Sequence, residues 1–385
     1  MRRHSNSREA VDSSEWLFDL RALSLLVAAV FGESMPGELR HLLPSHPRLH
    51  EKGLNINQRY VRCIVTSWNE NTIQASTDDR DILIDYANKE QGRDFDYLRK
   101  LLREGMQLNL LDCHVEKGEL TVVTPGIIVV EPDFLVDISS VAACFTNYGH
   151  HPLLYTVNRL KPKANTQAVL LGNFAGTALD YLIHHSGETL ADGGVQATLH
   201  RSFREQALRF CACVDFDAEK FKRDAIQQVQ HISETVGILF DREEEREKAL
   251  LEPSFVCERL GLQGRVDLMT IGSPTPLSHE DRNTMLLVEQ KSGKNPKIEH
   301  QSHDTHGLQL ESHYVQLLLY YGILRYNFGY TEKHVDIRLL YSRYPAAQGL
   351  MTVSYYQQLF REAIRLRNQI VATELLIARE GFGRI

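Results

Sequence analysis

The chain has 385 residues, 43% hydrophobic and 24% charged, with 24 Gly and 12 Pro. Soluble globular proteins of two or three domains have this composition, whereas disordered, collagen-like and coiled-coil chains do not. With 43 Lys and Arg against 50 Asp and Glu the formal net charge is −7, which excludes a basic coat for nucleic acid, although residues 251–385 are near balance at 15 basic to 14 acidic.

The first predicted element is an amphipathic helix, with N-cap chemistry at Ser13-Ser14-Glu15 and apolar spacing at Trp16, Leu17, Leu20, Leu23 and Val27. Arg2 and Arg3 ahead of Ala22–Phe31 imitate a secretion signal. Glu15 and Asp19, however, stand where a basic flank is required, and about ten apolar residues fall short of the ~20 of a membrane span. The helix is therefore expected to dock on the protein, and no membrane association is expected. Pro36 and the stretch from Leu43 to Gly53 read as a linker, closing a first segment at residues 1–53.

Strand periodicity then takes over at Arg59–Ser67, Thr72–Ala75 and Asp81–Tyr86. A short helix is predicted at Phe95–Leu102, followed by strands at Gln107–Glu116, Glu119–Thr124 and Gly126–Glu131. Short strands interrupted by one helix predict a small OB-like β-barrel over residues 54–136. Tyr60, Trp68 and Tyr86 are its candidates for stacking on single-stranded bases, and a plain packing platform is the alternative. Helices are predicted at Thr166–His185, Ser202–Phe210 and Ala218–Phe240, the last running into the charged stretch Asp241–Lys248, read as a solvated helix end.

The final third predicts strands at Ser254–Cys257, Gly264–Ile271 and Met285–Lys291, a helix at Glu311–Asn327, a strand at His334–Tyr341 and a helix at Tyr355–Ile377. Two of these strands carry charge in apolar surroundings. Asp267 follows Gly264-Arg265-Val266, and Val288-Glu289-Gln290-Lys291 puts Glu289 and Lys291 two residues apart, on one face. Buried charge needs partners. A divalent cation such as Mg²⁺ or Mn²⁺ would satisfy Asp267 and Glu289 together, with Lys291 left to orient or deprotonate a water. An Asp–Lys–Glu salt-bridge network satisfies the same residues without a metal, and spacing alone leaves both open.

The order Glu252, Gly264-Arg265-Val266-Asp267, Glu289-Gln290-Lys291-Ser292-Gly293-Lys294 and His313-x-x-Gln316-x-x-x-Tyr320 resembles the PD-(D/E)XK nuclease superfamily, in particular its RecB-like branch. Within that branch it is similar to the nuclease module of the eukaryotic flap-processing nuclease–helicases, in which a strand and Pro-Asp (here Ile127–Asp133) lead to a cysteine (Cys144) and Arg-Asn (Arg367-Asn368) falls on the last helix. The resemblance implies a restriction-endonuclease-like mixed α/β sheet core with helical insertions over residues 137–385. It implies a metal-dependent deoxyribonuclease acting on single-stranded ends or flaps in DNA repair, replication or defence. Asp267, Glu289 and Lys291 would be catalytic, with Asp267, Glu289 and the Gln290 carbonyl as metal ligands. Glu252, His313, Gln316 and Tyr320 would position substrate.

Two departures from the family pattern bear on chemistry. Where the family has Gly-x-x-x-His, this chain has Gly176-Thr177-Ala178-Leu179-Asp180, which makes Asp180 a further candidate ligand. The family's iron–sulfur cluster needs one cysteine before the core and three after it. Of the six cysteines none follows Cys257, so no cluster is expected and Cys144 reads as an ordinary helix thiol. The six scattered thiols fit a cytoplasmic protein, nucleoid-associated in a bacterium. His300, His303, His306 and His313 imitate a zinc site but fall in a polar segment without cysteine partners, and no phosphate-binding glycine loop occurs. A helicase partner, or a helicase region beyond this chain, is expected. The rival reading is a non-catalytic DNA-binding scaffold that keeps the nuclease fold, and an RNA nuclease remains a third.

Overall fold

The computed structural model describes residues 60–384 apart from 79, 88–92, 119, 147–148, 185–193, 241–242, 271–284 and 300–308, together with scattered helical positions between 16 and 31. The linker, the cap at Ser13-Ser14-Glu15, part of the charged run after residue 240, and the segment with His300, His303 and His306 lie outside the described residues. The chain divides into two compact units: residues 1–135 with 256–262 and 378–384, and residues 136–255 with 263–377 and 385.

The first unit is built on a mixed seven-stranded sheet. Its strands are β1 (Tyr60–Trp68), β2 (Thr72–Ser76), β3 (Asp81–Asp85), β4 (Gln107–Leu111), β5 (His114–Glu116), β6 (Thr121–Thr124) and β7 (Ile127–Val130), paired in the order β5-β6-β3-β2-β1-β4-β7. All neighbours are antiparallel except β3 and β6. Alternation does the folding: Ile73 and Ala75 on β2 and Ile82 and Ile84 on β3 turn inward with Val61, Cys63, Leu108 and Val130, leaving polar neighbours outside. The expected helix over Phe95–Leu102 is a 3₁₀ turn at Asp96–Lys100. Of the stacking candidates, Trp68 is exposed, but Tyr86 is 2% exposed and its hydroxyl donates to the Asn69 carbonyl at 2.6 Å, so it belongs to the core.

At the described positions of the N-terminal helix, Trp16, Leu17, Leu20, Leu23, Leu26, Val27, Val30 and Phe31 are exposed, more than a docked helix would leave them. No helix among the described residues is long and apolar enough to cross a membrane.

The second unit is a mixed α/β layer. Strands β8 (Ala249–Leu251), β9 (Leu268–Thr270), β10 (Met285–Lys291), β11 (Val335–Tyr341) and β12 (Leu350–Thr352) lie side by side in chain order. Only β10 and β11 are parallel, joined through a long helix as a parallel pair requires. Before the sheet come helices α1 (Gln167–His184), α2 (Gly194–Glu205), α3 (Ala207–Cys211) and α4 (Ala218–Leu239); α5 (Glu311–Phe328) connects β10 to β11, and α6 (Gln357–Glu380) follows the sheet. The stretch predicted as one helix at Ser202–Phe210 is two, α2 and α3. The three-residue edges β8 and β12 were too short to give a periodic signal.

Leu170, Phe174, Ala178 and Leu182 of α1, spaced for one helix side, pack with Phe221, Val229 and Ile232 of α4 on Leu268, Leu286 and Val288 of the sheet. Phe174 and Phe221 meet edge to face at 6.0 Å. Helix α5 is buried on every side from Val315 to Leu324 and closes at Gly329, whose φ of 75° suits a left-handed C-cap. Cys144 is buried, and its thiol donates to the Ser140 carbonyl at 3.3 Å. Because Phe174 is fully buried between helix and sheet, Phe174→Ala should cost about 3–5 kcal/mol of unfolding free energy, read from the shift of the urea midpoint at unchanged slope.

Candidate active site

Strand register brings the acidic pair together. Leu268 lies opposite Val288 and Met269 opposite Leu287, so one step further along this antiparallel pair Asp267 comes beside Glu289 on the same face. Asp267 is not within a strand, as the sequence suggested; it sits in the break between the strand Leu262–Arg265 and β9. The break has a cause. The Val266 N–H donates to the Pro253 carbonyl at 3.3 Å and the Glu252 N–H to the Asp267 carbonyl at 3.0 Å, and Pro253 has no N–H with which to continue the ladder.

Glu289 is 3% exposed. Its Oε1 accepts from Lys291 Nζ at 2.7 Å and from Gln316 Nε2 at 2.5 Å, while Gln316 Oε1 accepts from the same Lys291 ammonium at 2.9 Å. The other oxygen, Oε2, is buried without a hydrogen-bond partner. Burial, and secondly the Asp267 charge, push the Glu289 carboxyl up to about 8. Asp267 Oδ2 accepts from the Gln290 N–H at 2.6 Å, and burial raises its carboxyl too, opposed by that hydrogen bond and by Lys291.

Asp180, on α1, joins this group electrostatically. Burial pushes it up to about 6; Glu252 and Asp267 add to the rise, and Arg201 and Arg265 oppose it. The glycine one turn before it makes no close approach to another element, since a Cβ at Gly176 would meet nothing within 4 Å. The approach falls at Gly172, where a Cβ would stand 3.1 Å from Ser292 Oγ. The Gln290 side chain reaches the same helix, donating to the Ala175 carbonyl at 3.3 Å. Glu252 has a φ of 49°, a left-handed conformation costly for a side chain of its size, and its Oε2 pairs with Arg265 Nη1 at 2.8 Å.

The residues on α5 divide by role. Gln316 enters the Glu289–Lys291 group, whereas the Tyr320 hydroxyl donates to the Arg265 carbonyl at 2.5 Å and its ring is 2% exposed. Tyr320 therefore holds the strand that leads to Asp267, and a Cβ on Gly264 would come within 3.0 Å of its ring. His313 Nδ1 lies 3.0 Å from the hydroxyl of Tyr341, which also accepts from the Leu310 N–H at 3.0 Å. Burial, with Lys291 nearby, lowers His313 to about 4, so the ring is neutral at pH 7.

Sequence reading missed the brace beneath Lys291. Ser342 N–H donates to the Lys291 carbonyl at 3.0 Å, Ser342 Oγ donates to Gln228 Oε1 at 2.7 Å, and Gln228 Nε2 donates to the Ser292 carbonyl at 3.1 Å. Only the burial of Gln228 and Ser342, invisible in the sequence, could have flagged them.

Among the described residues no group of three or more His, Cys, Asp and Glu side chains is placed to hold a metal ion. Mg²⁺ needs less than that, since it keeps several waters and takes one or two carboxylates plus substrate phosphate. The pair Asp267 and Glu289, with a buried carboxylate oxygen left over, fits that demand.

No protein-family model and no curated protein matches the chain. Four chains of solved structures match it. One is a crystal structure from Eubacterium rectale whose protein bears the name "Putative exonuclease"; it is 10% identical, covers 65% of this chain and 83% of its own, and gives a TM-score of 0.36. So low a score leaves the function to the geometry of the site.

The raised Glu289 carboxyl fixes a sign. The folded chain keeps a proton that an unfolded Glu releases near 4.5, so this contribution to stability is full below that pH and is lost as pH rises through about 8. In EDTA, Glu289→Gln should therefore have the higher thermal midpoint at about pH 8.5, and the gap should close by about pH 5. Mg²⁺ should raise the midpoint of the unaltered chain at the higher pH and leave that of the variant nearly unmoved.

Proposed function

We propose that the second unit is a RecB-like, PD-(D/E)XK nuclease domain that hydrolyses DNA phosphodiesters with Mg²⁺ or Mn²⁺, at single-stranded ends or flaps, and that the first unit is an OB-like platform for the strand. The observation that carries the reading is the buried, unpartnered Oε2 of Glu289 beside Asp267. A network built only for stability would satisfy each buried oxygen, because an orphaned acceptor costs about 1–3 kcal/mol. Asp267 and Glu289, with the Gln290 carbonyl and Asp180, would hold the cation. When bound, it would lower the pKa of a water and offset charge on the phosphoryl oxygens.

The chain's own groups have distinct tasks. Lys291 uses two of its three N–H donors on Glu289 and Gln316, leaving one to hold and orient the attacking water. Gln316 keeps the ammonium and the carboxylate from drifting apart. The Gln290 N–H fixes Asp267 Oδ2, which leaves Oδ1 for the cation.

Asp267→Ala and Lys291→Ala should each lower cleavage of labelled single-stranded or flap DNA by about a thousandfold or more, as expected when several kcal/mol of transition-state stabilisation is lost. Unchanged cleavage in both variants would place the activity elsewhere. Asp180→His should raise the ratio of Mn²⁺- to Mg²⁺-supported cleavage, since imidazole is a poor ligand for Mg²⁺. One observation favours a second reading: the Glu289–Lys291–Gln316 group closes on itself without a metal. On that reading the chain is a non-catalytic DNA-binding scaffold, and binding without cleavage in Mg²⁺, Mn²⁺ or Ca²⁺ would establish it.

A further inference from the structure

Arg265 stands at the exposed rim of the carboxylate group with its main chain fixed from within. Its carbonyl accepts the hydrogen bond from buried Tyr320, and Gly264 before it lies against the Tyr320 ring. The side chain is 60% exposed and meets Glu252, itself 46% exposed, at 2.8 Å. Glu252 is held to this place by its backbone: the left-handed φ of 49° and the N–H bond to the Asp267 carbonyl turn it toward the arginine. An exposed ion pair of this kind contributes little stability, so it yields readily to a better ligand. A guanidinium is best matched by a phosphate, which it grips through two parallel N–H bonds.

We propose that Arg265 binds a backbone phosphate of the nucleic acid beside the scissile bond, and that the Glu252 carboxylate holds the guanidinium in place until that phosphate displaces it. The proposal rests on the nuclease reading for its substrate, but phosphate binding is measurable without cleavage. Two consequences follow from the exchange. Arg265 governs substrate affinity rather than the chemical step, and Glu252 weakens affinity by competing for the same donors.

The test is equilibrium binding of a fluorescein-labelled single-stranded oligothymidine to the full chain, in EDTA so that nothing is cut, over a series of salt concentrations. Arg265→Gln should weaken binding about tenfold and reduce the slope of log K against log salt by about 0.7, the value of one phosphate contact on a single strand. Arg265→Lys should restore the slope and part of the affinity, since it returns the charge without the fork. Glu252→Gln should tighten binding severalfold at any one salt concentration. An unaltered slope in Arg265→Gln, with its thermal midpoint unchanged, would overturn the proposal, as would absence of binding by the unaltered chain. Cleavage that persists in Lys291→Ala would instead sink the hydrolytic reading and leave the Arg265 result standing.

Discussion

A carboxylate shut into an apolar sheet end is the constraint around which the second unit is arranged. Glu289 follows Leu286, Leu287 and Val288 on β10, three buried residues whose packing fixes the strand and carries the next side chain inside. An ionised carboxylate there loses its hydration, and Asp267 alongside makes matters worse. The surroundings offset this only in part. One oxygen receives two donors, from Lys291 and Gln316, and the other receives none. The remaining deficit can be met by a proton or by a cation, and the two compete for one oxygen. Occupancy by the proposed divalent ion would thereby be coupled to pH without any further device.

The rest of the unit supplies rigidity at that point. Lys291 is held at the ammonium by Glu289 and Gln316 and at the carbonyl by Ser342, and Ser342 is tied through Gln228 to α4. Tyr341, opposite Lys291 in the parallel register, carries both His313 and the Leu310 N–H on its hydroxyl, fixing the start of α5 against the sheet. Tyr320 does the same for the strand before Asp267. Neutral His313 contributes no charge to oppose Lys291 at pH 7, so it serves the brace without disturbing the electrostatics of the site.

How much of this was legible follows from what each signal measures. β10 was readable because a continuous apolar run marks a strand buried on both faces, and β11 because Val335, Ile337 and Leu339 alternate with Asp336 and Arg338. The two-residue spacing of Glu289 and Lys291 gave a shared face, and the structure joins them. Asp267 was put inside a strand because Val266, Leu268 and Met269 read as one run; the break comes from Pro253 on the neighbouring segment, a tertiary effect. Tyr86 was read by residue type and Tyr320 by its place in the Gln-x-x-x-Tyr motif, yet each is turned inward and spends its hydroxyl on a backbone carbonyl. The orphaned oxygen of Glu289, the left-handed backbone of Glu252 and the Gln228–Ser342 brace have no periodicity or motif, so only coordinates reveal them.

The net charge of −7 acquires a different meaning once the acids are located. Glu252 stands close enough to raise the carboxyls of Asp180 and Asp267, and Asp267 that of Asp180, with Arg265 opposing at both and Arg201 at Asp180. Without a cation such a cluster repels a phosphate backbone, whereas a bound divalent ion would reverse the local sign. On the nuclease reading, metal and nucleic acid would then help each other to bind, and by thermodynamic reciprocity each would raise the affinity of the other by the same factor. On that reading, a chain of acidic balance would thus hold a polyanion most tightly where and when the ion is present. That would favour attachment at the reacting phosphates, which a uniformly basic surface would not do.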